Sequence, residues 1–384
     1  MVVSDISQIK RNKKDMERHD VIIVGAGISG LSFAYECEKA DIDYIVLESS
    51  QRVGGSIQSL TQKNGHNEQV PLELGAHTLF NNYEKCIDLI EELNIDFKKK
   101  KKSKIFFRST KSSLLSESLL KRFQFFDAIY CFLRSLLKSF FIKENSSSIS
   151  LKEKLVRLIG EKNFQRVASP ALKALSNQRV ENIPENVFFK SRDRKKNKHY
   201  PRRFSISGGN ENLVKKLAEN LNVSLNSPVD KISQADGGFK CASIKNYSCK
   251  YVVLAVPGNV LVQYSEVLNI ESETLSVTFN TQVGETDEAN IPSITVFDES
   301  NHYSEIVFEN APNFTISHSN ETNANQNNLF SKMNTLPKLD NLGRITAQAD
   351  NIFLVGNYFS GMSIEDCIKH SQATFQILKN KLRN

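Results

Sequence analysis

The 384-residue chain contains no tryptophan, and no two of its six cysteines form a CxxC pair. This cysteine spacing argues against a zinc ribbon or a disulfide framework, and it fits a reducing compartment. The chain has only 17 glycines and 9 prolines, and 40% of its residues are apolar, which excludes both a collagen-like and a disordered chain. The length allows two or three domains with a sizeable core.

Long apolar runs are also missing. No stretch reaches the roughly 18 apolar residues of a membrane-spanning helix, so we predict none. The nearest approach, residues 125–142, is interrupted by Asp127, Arg134 and Lys138. Residues 1–19 are charged and lack the apolar core of a signal peptide, so we expect a flexible leader. We therefore expect a cytoplasmic protein, with peripheral contact to the cytoplasmic face of a membrane left open.

The charge is unevenly distributed along the chain. Lysine and arginine total 50 against 43 acidic residues, a net charge of +7. Residues 98–204 hold 28 basic and 8 acidic residues, a net of +20, and the remainder holds 22 and 35, a net of −13. This asymmetry predicts an anionic partner, either nucleic acid, anionic lipid or a carboxylate-bearing substrate. Because no aromatic-interleaved RNA-binding pattern is present, nucleic acid is not expected.

The N-terminal third carries a nucleotide-binding pattern. The apolar runs 21–24 and 44–47 flank a Gly25-x-Gly27-x-x-Gly30 turn and a helical stretch, which together predict a strand–helix–strand unit. Gly25 permits the tight turn, Gly27 lets a pyrophosphate approach the backbone, and Gly30 lets the helix pack on the sheet. Glu48 ends the second strand, where a carboxylate accepts hydrogen bonds from ribose hydroxyls.

A second motif extends this unit beyond that of simple dehydrogenases. The stretch from Glu48 through Arg52 to Gly54-Gly55 resembles the E-x(3)-R-x-G-G of FAD-dependent enzymes in the flavin amine oxidase and protoporphyrinogen oxidase superfamily. Residues 73–78, 207–218, 226–232 and 251–257 resemble further family segments in the family's order. The resemblance implies FAD as cofactor and contacts to it at Gly25, Ala26, Gly27, Ser29, Gly30, Glu48, Ser49, Arg52, Gly54, Gly55, Ser56, Gly75, Ala76, His77, Thr78, Val229, Ala255, Pro257, Gly356, Asn357, Met362, Ser363 and Ile364.

The C-terminal motif distinguishes subfamilies. Residues 353–368 read as a strand, a glycine turn and a helix whose N-terminus stabilises reduced, anionic flavin. Amine oxidases usually have Gly-Glu where this chain has Gly356-Asn357, and the whole pattern resembles that of protoporphyrinogen oxidase. The resemblance implies oxidation of protoporphyrinogen IX to protoporphyrin IX in heme biosynthesis, with hydride transfer to flavin N5 and dioxygen or a quinone as acceptor.

Other functions of the same fold stay open. They are a coproporphyrinogen oxidase, another flavin amine oxidase, a carotenoid-type desaturase, and a non-catalytic binding protein like the GDP-dissociation inhibitors. His77 and Asn357 are candidates near the reaction, although no catalytic side chain is firmly implied. Arg179, Arg202 and Arg203 are candidates for binding substrate carboxylates, with exposed charge as the simpler explanation. The remaining histidines show no ligand spacing, so we predict no metal.

We expect an α/β protein whose Rossmann-like FAD-binding domain is assembled from both ends of the chain. A basic helical region and a small mixed β-sheet substrate domain are inserted. The expected parts are FAD-binding segments 20–97, 204–258 and 336–384, the helical region 98–203, and the substrate sheet 259–335. Within the helical region, apolar positions of 123–142 share one face, which predicts either a core-facing helix or a helix in a membrane interface. The oligomeric state stays open.

Overall fold

The computed structural model describes residues 16–63, 69–75, 78–100, 105–108, 117–141, 150–176, 194–235, 237–268, 276–285, 294–297, 303–308, 313–318, 329–335, 351–357, 361 and 363–383. Four of the predicted site residues lie outside these ranges: Ala76, His77, Arg179 and Met362.

The strands in chain order are β1 (Glu17–Val24), β2 (Tyr44–Leu47), β3 (Ser59–Lys63), β4 (Gln69–Glu73), β5 (Leu79–Phe80), β6 (Phe97–Lys99), β7 (Ile105–Arg108), β8 (Glu117–Ser118), β9 (Arg203–Ile206), β10 (Val223–Ser224), β11 (Lys231–Ala235), β12 (Gly238–Ala242), β13 (Asn246–Leu254), β14 (Ser276–Glu285), β15 (Ile294–Phe297), β16 (Tyr303–Phe308), β17 (Asn313–His318), β18 (Leu329–Thr335) and β19 (Ile352–Leu354). The helices are α1 (Ile28–Lys39), α2 (Glu84–Glu92), α3 (Leu119–Arg122), α4 (Phe125–Phe141), α5 (Leu151–Ile159), α6 (Glu161–Asn163), α7 (Ser169–Ser176), α8 (Glu211–Ala218), α9 (Gly258–Leu261), α10 (Ser265–Leu268) and α11 (Ile364–Arg383). A π-helical turn spans Phe164–Ala168, and a 3-10 turn spans Val262–Tyr264.

One sheet joins both ends of the chain. Its order is β10-β2-β1-β13-β12-β11, and β19 also pairs with β13. The strands β10, β2, β1, β13 and β19 run parallel, while β11 and β12 form an antiparallel meander with β13. Residues 21–24 and 251–254 are buried on both faces of the sheet, as parallel strands require. The prediction of a Rossmann-like domain built from both termini is confirmed.

A three-stranded sheet and a second seven-stranded sheet include strands of the inserted region. In one, β5, β9 and β6 pair side by side, so the chain leaves the FAD-binding part after β6 and returns at β9. The lysine run 98–102 reads from the sequence as a hairpin or loop tip, but its first two residues, Lys98 and Lys99, belong to strand β6. The other sheet has the order β18-β14-β17-β16-β15-β7-β8. Because β7 and β8 come from the segment 98–203, that segment and 259–335 share this sheet.

The first break in the helical region after α4 lies at a glycine, Gly160. The sequence indicates a helical stretch over 151–180 that is broken at Pro170, whereas the structure, which describes it to residue 176, places the first break earlier. The interruption is at Gly160, whose φ of +83° lies in the left-handed region that favours glycine. Pro170 is the second residue of α7, directly after the π-helical turn, so the helical backbone continues through it. In the part of the chain that the structure describes, no helix has the length and apolar character needed to cross a membrane.

Candidate flavin site

The three glycines of the first turn differ in the space around them. A Cβ on Gly25 would lie 2.6 Å from the Ala255 oxygen, and one on Gly30 would lie 2.0 Å from the Gly25 oxygen. Gly25 also has a φ of +102°. A Cβ on Gly27 would meet no atom within 4 Å. Gly25 and Gly30 therefore permit close packing of the turn, α1 and β13, whereas Gly27 borders open space.

That open space lies at the N-terminal end of α1. Gly27 is the N-cap residue, with extended backbone (φ −72°, ψ 174°), and it supplies no side-chain cap. The first amides of α1 and the positive end of its dipole thus face the space beside Gly27. Ser29 is buried in this first turn. Backbone amides at an uncapped helix N-terminus beside a glycine suit a pyrophosphate.

The buried carboxylate of Glu48 organises the same turn. Its Oε2 accepts a hydrogen bond from the Ala26 amide at 2.7 Å, and its Oε1 accepts one from the Ser50 amide at 2.8 Å. The Ser49 hydroxyl also donates to Oε1, at 3.3 Å. A carboxylate offers about four acceptor positions, so Glu48 retains capacity for a ribose hydroxyl.

The loop after Glu48 packs directly on the glycine turn. The Gly54 amide donates to the Ala26 oxygen at 2.8 Å, and a Cβ on Gly55 would lie 3.2 Å from the Gly27 Cα. Gly54 has a φ of +106° and Gly55 one of +56°. Gly55 and Ser56 are exposed beside the open space. The two glycines therefore place this loop next to the proposed pyrophosphate position.

The guanidinium of Arg52 folds into its own loop. It donates to the Gly55 oxygen at 2.7 Å and to the Gln58 Oε1 at 3.1 Å, and it lies 3.8 Å from the Glu211 carboxylate. We expected Arg52 to contact the cofactor. In this structure it ties the loop to α8, and its contact with a phosphate stays a prediction.

Buried Glu73, the last residue of β4, connects the segment before Gly75 to the N-terminus of α8. It accepts hydrogen bonds from the Ser59 hydroxyl at 2.7 Å and from the Asn210 amide at 2.8 Å. Gly75 follows in close contact, because a Cβ there would lie 2.2 Å from the Ser56 oxygen. Sequence reasoning missed Glu73, Asn210 and Glu211 as supporting residues, although Glu73 stands inside the matched motif. Thr78 is half-buried after this segment.

Val229, Ala255 and Pro257, which are expected to contact FAD, lie at the carboxyl edge of the sheet. The Ser227 amide donates to the main-chain carbonyl oxygen of Glu48 at 2.7 Å. This bond brings buried Val229 toward the end of β2. The Tyr264 hydroxyl donates to the Val229 oxygen at 2.7 Å, and burial raises the pKa of Tyr264 to about 12. Ala255 follows β13, its amide donating to the Val24 oxygen at 2.9 Å, and Pro257 is exposed just beyond it.

The C-terminal motif forms a strand, a turn and a helix, as predicted. Gly356 is buried and Asn357 half-buried directly after β19. Buried Gly361 has a φ of +134°. The Ser363 hydroxyl accepts from the Asp366 amide at 3.1 Å, and the Asp366 carboxylate accepts from the Ser363 amide at 3.3 Å, so the two residues cap α11 reciprocally. Buried Ile364 begins that helix.

The basic segment 194–203 is fixed beside this helix end. Arg194 forms a hydrogen-bonded ion pair with Asp366 and lies 5.6 Å over the ring of Tyr83. Burial raises the pKa of Tyr83 to about 12. The Lys195 amide donates to Glu84 at 2.9 Å. Sequence reasoning missed Arg194 because its partner lies 172 residues away.

Of the three arginines expected to bind substrate carboxylates, the structure describes Arg202 and Arg203. Arg202 lies just before β9, and Arg203 is the first residue of that strand. Arg202 is exposed and Arg203 is half-buried. Their binding of a substrate carboxylate stays a prediction. Within the described ranges, no three histidine, cysteine, aspartate or glutamate side chains cluster as metal ligands.

The described residues fit a dinucleotide flavin. Open space beside Gly27, the uncapped end of α1 and the carboxylate of Glu48 offer what a pyrophosphate and a ribose need. A Cβ at position 27 would project into that space.

Comparison with solved structures shows the same fold over nearly the whole chain. A "putative protoporphyrinogen oxidase" from Exiguobacterium sp. 255-15 is 16% identical and has a TM-score of 0.71, covering 95% of this chain and 99% of that one. A putrescine oxidase variant is 15% identical with a TM-score of 0.68, covering 95% and 100%. A fatty acid isomerase from P. acnes is 14% identical with a TM-score of 0.68, covering 94% and 98%.

Curated relatives match over short segments. An L-amino-acid oxidase from Crotalus adamanteus is 40% identical over 70 residues, which is 18% of this chain and 14% of that protein. Amine oxidase [flavin-containing] A from Canis lupus familiaris is 34% identical over 88 residues, 22% of this chain and 16% of that protein. The chain thus matches only about a seventh of the length of these relatives.

A family match covers most of the chain. Residues 28–276 match the family described as flavin containing amine oxidoreductase. The expected cofactor, FAD, and the expected class, a flavin-dependent oxidoreductase, are those of this family. With the match extending over well over half of its residues, the chain belongs to the flavin-containing amine oxidoreductase family.

Proposed function

We propose that this chain oxidises a porphyrinogen, protoporphyrinogen IX, to protoporphyrin IX. The observation that carries the proposal is the ion pair between Arg194 and Asp366. It fixes the basic segment 194–203 beside the helix end that follows Gly356-Asn357. A porphyrinogen is apolar apart from its anionic propionates, so a cationic segment next to the flavin motif suits it.

FAD, when bound, supplies a two-electron hydride acceptor. Gly27, Glu48 and Gly55 would hold its nucleotide portion, and the N-terminal end of α11 would lie near its ring. That helix end is positive and stabilises negative charge placed before it. The reciprocal cap of Ser363 and Asp366 keeps the helix end in place. Porphyrinogen oxidation removes six electrons, so three two-electron turnovers are needed, with dioxygen or a quinone as final acceptor.

The exposed cations of the basic segment would bind and orient the substrate. Lys195, Lys196, Lys198 and Arg202 are exposed on it, while Arg194 is engaged with Asp366. Their combined field attracts propionates and raises the local substrate concentration. Arg202 offers a planar pair of donors that matches a carboxylate.

Oxidation of an amine is the second candidate. The family's description and the segment shared with amine oxidase A favour it. Asn357, at the position where amine oxidases usually have a glutamate, speaks against it. Coproporphyrinogen is the alternative substrate within the porphyrinogen class.

The test is an anaerobic titration of the FAD-loaded protein. Protoporphyrinogen, coproporphyrinogen and putrescine are added separately, and loss of the visible flavin absorbance is followed. We expect protoporphyrinogen to bleach the flavin. Bleaching by putrescine alone assigns amine oxidation, bleaching by coproporphyrinogen alone changes the substrate, and bleaching by none overturns the proposal.

A charge reversal tests the role of the basic segment. Lys195→Glu combined with Lys196→Glu should raise the substrate concentration for half-maximal bleaching about tenfold, because two attractive charges become repulsive. Lys240→Glu, at an exposed position on the meander strand β12, is the matched control and should leave this concentration unchanged. Equal values for both variants would contradict a role of the segment in binding propionates.

A further inference from the structure

Helix α11 begins at the same edge of the main sheet as helix α1. Strands β1 and β19 both pair with β13 in parallel, α1 follows β1, and α11 follows β19. The two helices pack on each other, with the rings of Phe33 and Phe375 5.7 Å apart and the Gln372 side-chain amide donating to the Glu36 carboxylate at 3.0 Å. Both N-terminal ends therefore lie at the carboxyl edge of the sheet, where Gly27 borders the open space that suits a pyrophosphate.

Two buried carboxylates, Glu365 and Asp366, occupy the first turn of α11. A carboxylate there favours the helix, but its charge also cancels the positive potential of the helix end. Glu365 accepts hydrogen bonds from the backbone amides of Lys85 and Cys86, at 3.2 and 2.9 Å. The Lys369 ammonium lies 3.2 Å from the same carboxylate. Donors at the start of α2 and on α11 itself thus balance the charge of the first carboxylate.

Arg194 balances the charge of the second carboxylate, Asp366. Their side chains form a hydrogen-bonded ion pair in which the guanidinium is 15% and the carboxylate 7% exposed. The guanidinium also lies 5.6 Å over the ring of Tyr83, and the Lys195 amide donates to Glu84 at 2.9 Å, so the segment is held in place. Because water is largely excluded from this pair, an unpaired charge here would act over a longer distance than one at the surface.

We infer that Arg194 is a positioning residue that raises the reduction potential of the bound flavin by neutralising Asp366. The inference rests on the position of the flavin ring near α11 that we propose above, but not on the identity of the substrate. A hydride carries two electrons and one proton, so a flavin that accepts one gains a negative charge. With the ion pair intact, this charge meets the positive end of α11. Without Arg194, it would meet the buried carboxylate of Asp366 and be disfavoured.

The reduction potential of bound FAD tests the inference, because it compares the affinities of the protein for oxidised and reduced flavin. It is measured anaerobically against a reference dye at about pH 8, well above the ordinary pKa of a carboxylic acid. Arg194→Ala should weaken binding of reduced FAD at least about tenfold more than binding of oxidised FAD, which lowers the two-electron potential by about 30 mV or more. Asp366→Asn should raise the potential, because it removes the negative charge and keeps an oxygen that accepts the cap hydrogen bond.

Matched variants separate the effect of charge from a loss of structure. Arg194→Lys should restore most of the potential, since an ammonium group also neutralises the carboxylate. Lys39→Ala removes a cation from the exposed pair with Glu92 at the far end of α1 and should leave the potential unchanged. An unchanged potential in Arg194→Ala, or shifts of the same sign in Arg194→Ala and Asp366→Asn, would overturn the inference. If Arg194→Ala retains no FAD, Asp366→Asn decides alone: a rise supports the inference, and no rise overturns it.

The potential is measured without substrate, so its outcome is separate from that of the titration with porphyrinogens. Unaltered potentials together with bleaching by protoporphyrinogen would contradict this inference and leave the proposed function standing. The expected shifts without bleaching by any porphyrinogen would support this inference and contradict only the proposed function.

Discussion

Gly27 and Gly30 lie three residues apart, yet they predict opposite consequences of the same substitution. Gly27→Ala should change the free energy of unfolding of the apoprotein by less than about 1 kcal/mol, because its φ of −72° suits any residue and its surroundings are open. The substitution should nevertheless reduce the amount of FAD bound at least about tenfold, because the methyl group would occupy the space proposed for the pyrophosphate. Flavin absorbance per protein and urea unfolding of the apoprotein measure the two effects.

Gly30→Ala is the matched control for this pair. Its Cβ would lie 2.0 Å from the Gly25 oxygen, so α1 must move away from the turn. Overpacking of this kind costs about 1–3 kcal/mol. Normal FAD binding by Gly27→Ala would show that the open space beside Gly27 is not the cofactor's position.

The positions of individual site residues could be predicted from the sequence where their roles depend on neighbours along the chain. Gly25, Gly27, Gly30 and Glu48 stand at fixed offsets from two apolar strands, and each lies where those offsets predict. The supporting role of Glu73 could not be predicted in the same way. Its partner Asn210 is 137 residues distant, and only the folded chain brings the two together. Sequence spacing reports neighbours along the chain, whereas supporting hydrogen bonds join distant segments.

At the scale of elements, the N-terminal end of α11 depends on a partner from the inserted region. Asp366 is buried and paired with Arg194, both of which are largely removed from water. A double-mutant cycle of Arg194→Ala and Asp366→Asn should give a coupling energy of about 1–3 kcal/mol in urea unfolding. Each single variant should also lose FAD more readily, because the basic segment then no longer holds the helix end at which we propose that the flavin ring lies.

The exposed pair of Lys39 and Glu92 provides the control cycle. Its side chains are about half exposed, and such pairs contribute less than about 1 kcal/mol. Its variants should retain FAD. Equal coupling energies in the two cycles would show that the Arg194–Asp366 pair is only another surface ion pair.

Helix α4 shows what periodicity leaves undetermined. The spacing of apolar residues in 123–142 correctly predicted a helix, which the structure places at Phe125–Phe141. It could not tell which face the protein buries, and Phe126 turned out to be exposed rather than in a core. The break at Gly160 was missed for a related reason. A left-handed φ is a property of the folded backbone, whereas Pro170 is visible in the sequence.

At the scale of the whole molecule, segments from both ends of the chain build one mixed sheet, and the basic insertion lies between these segments in the sequence. Strands β1 and β13 lie at the centre of this sheet. The chain enters the insertion after β6 and returns from it at β9, and these two strands pair with each other. The net charge of +7 is therefore the sum of +20 in residues 98–204 and −13 in the rest of the chain. Burial of tyrosine side chains also sets how the molecule responds to alkali.

Three tyrosines resist ionisation because burial disfavours the phenolate. Burial raises the pKa of Tyr83 and of Tyr264 to about 12, and it raises that of Tyr44 as well. Unfolded tyrosine ionises near pH 10. The folded state thus holds these protons more tightly, so its advantage is complete below about pH 10 and is lost as the pH rises toward 12.

We therefore expect the free energy of unfolding to fall steeply between about pH 10 and pH 12, by up to about 1.4 kcal/mol per pH unit for each such tyrosine. Since the chain has ten tyrosines and no tryptophan, phenolate absorbance reports their ionisation without interference. Tyr264→Phe should shift the stability curve down by about 1 kcal/mol at neutral pH, because the hydrogen bond to Val229 is lost. It should also make the alkaline decline shallower. A variant curve parallel to that of the wild type through this range would show that Tyr264 ionises normally in the folded protein.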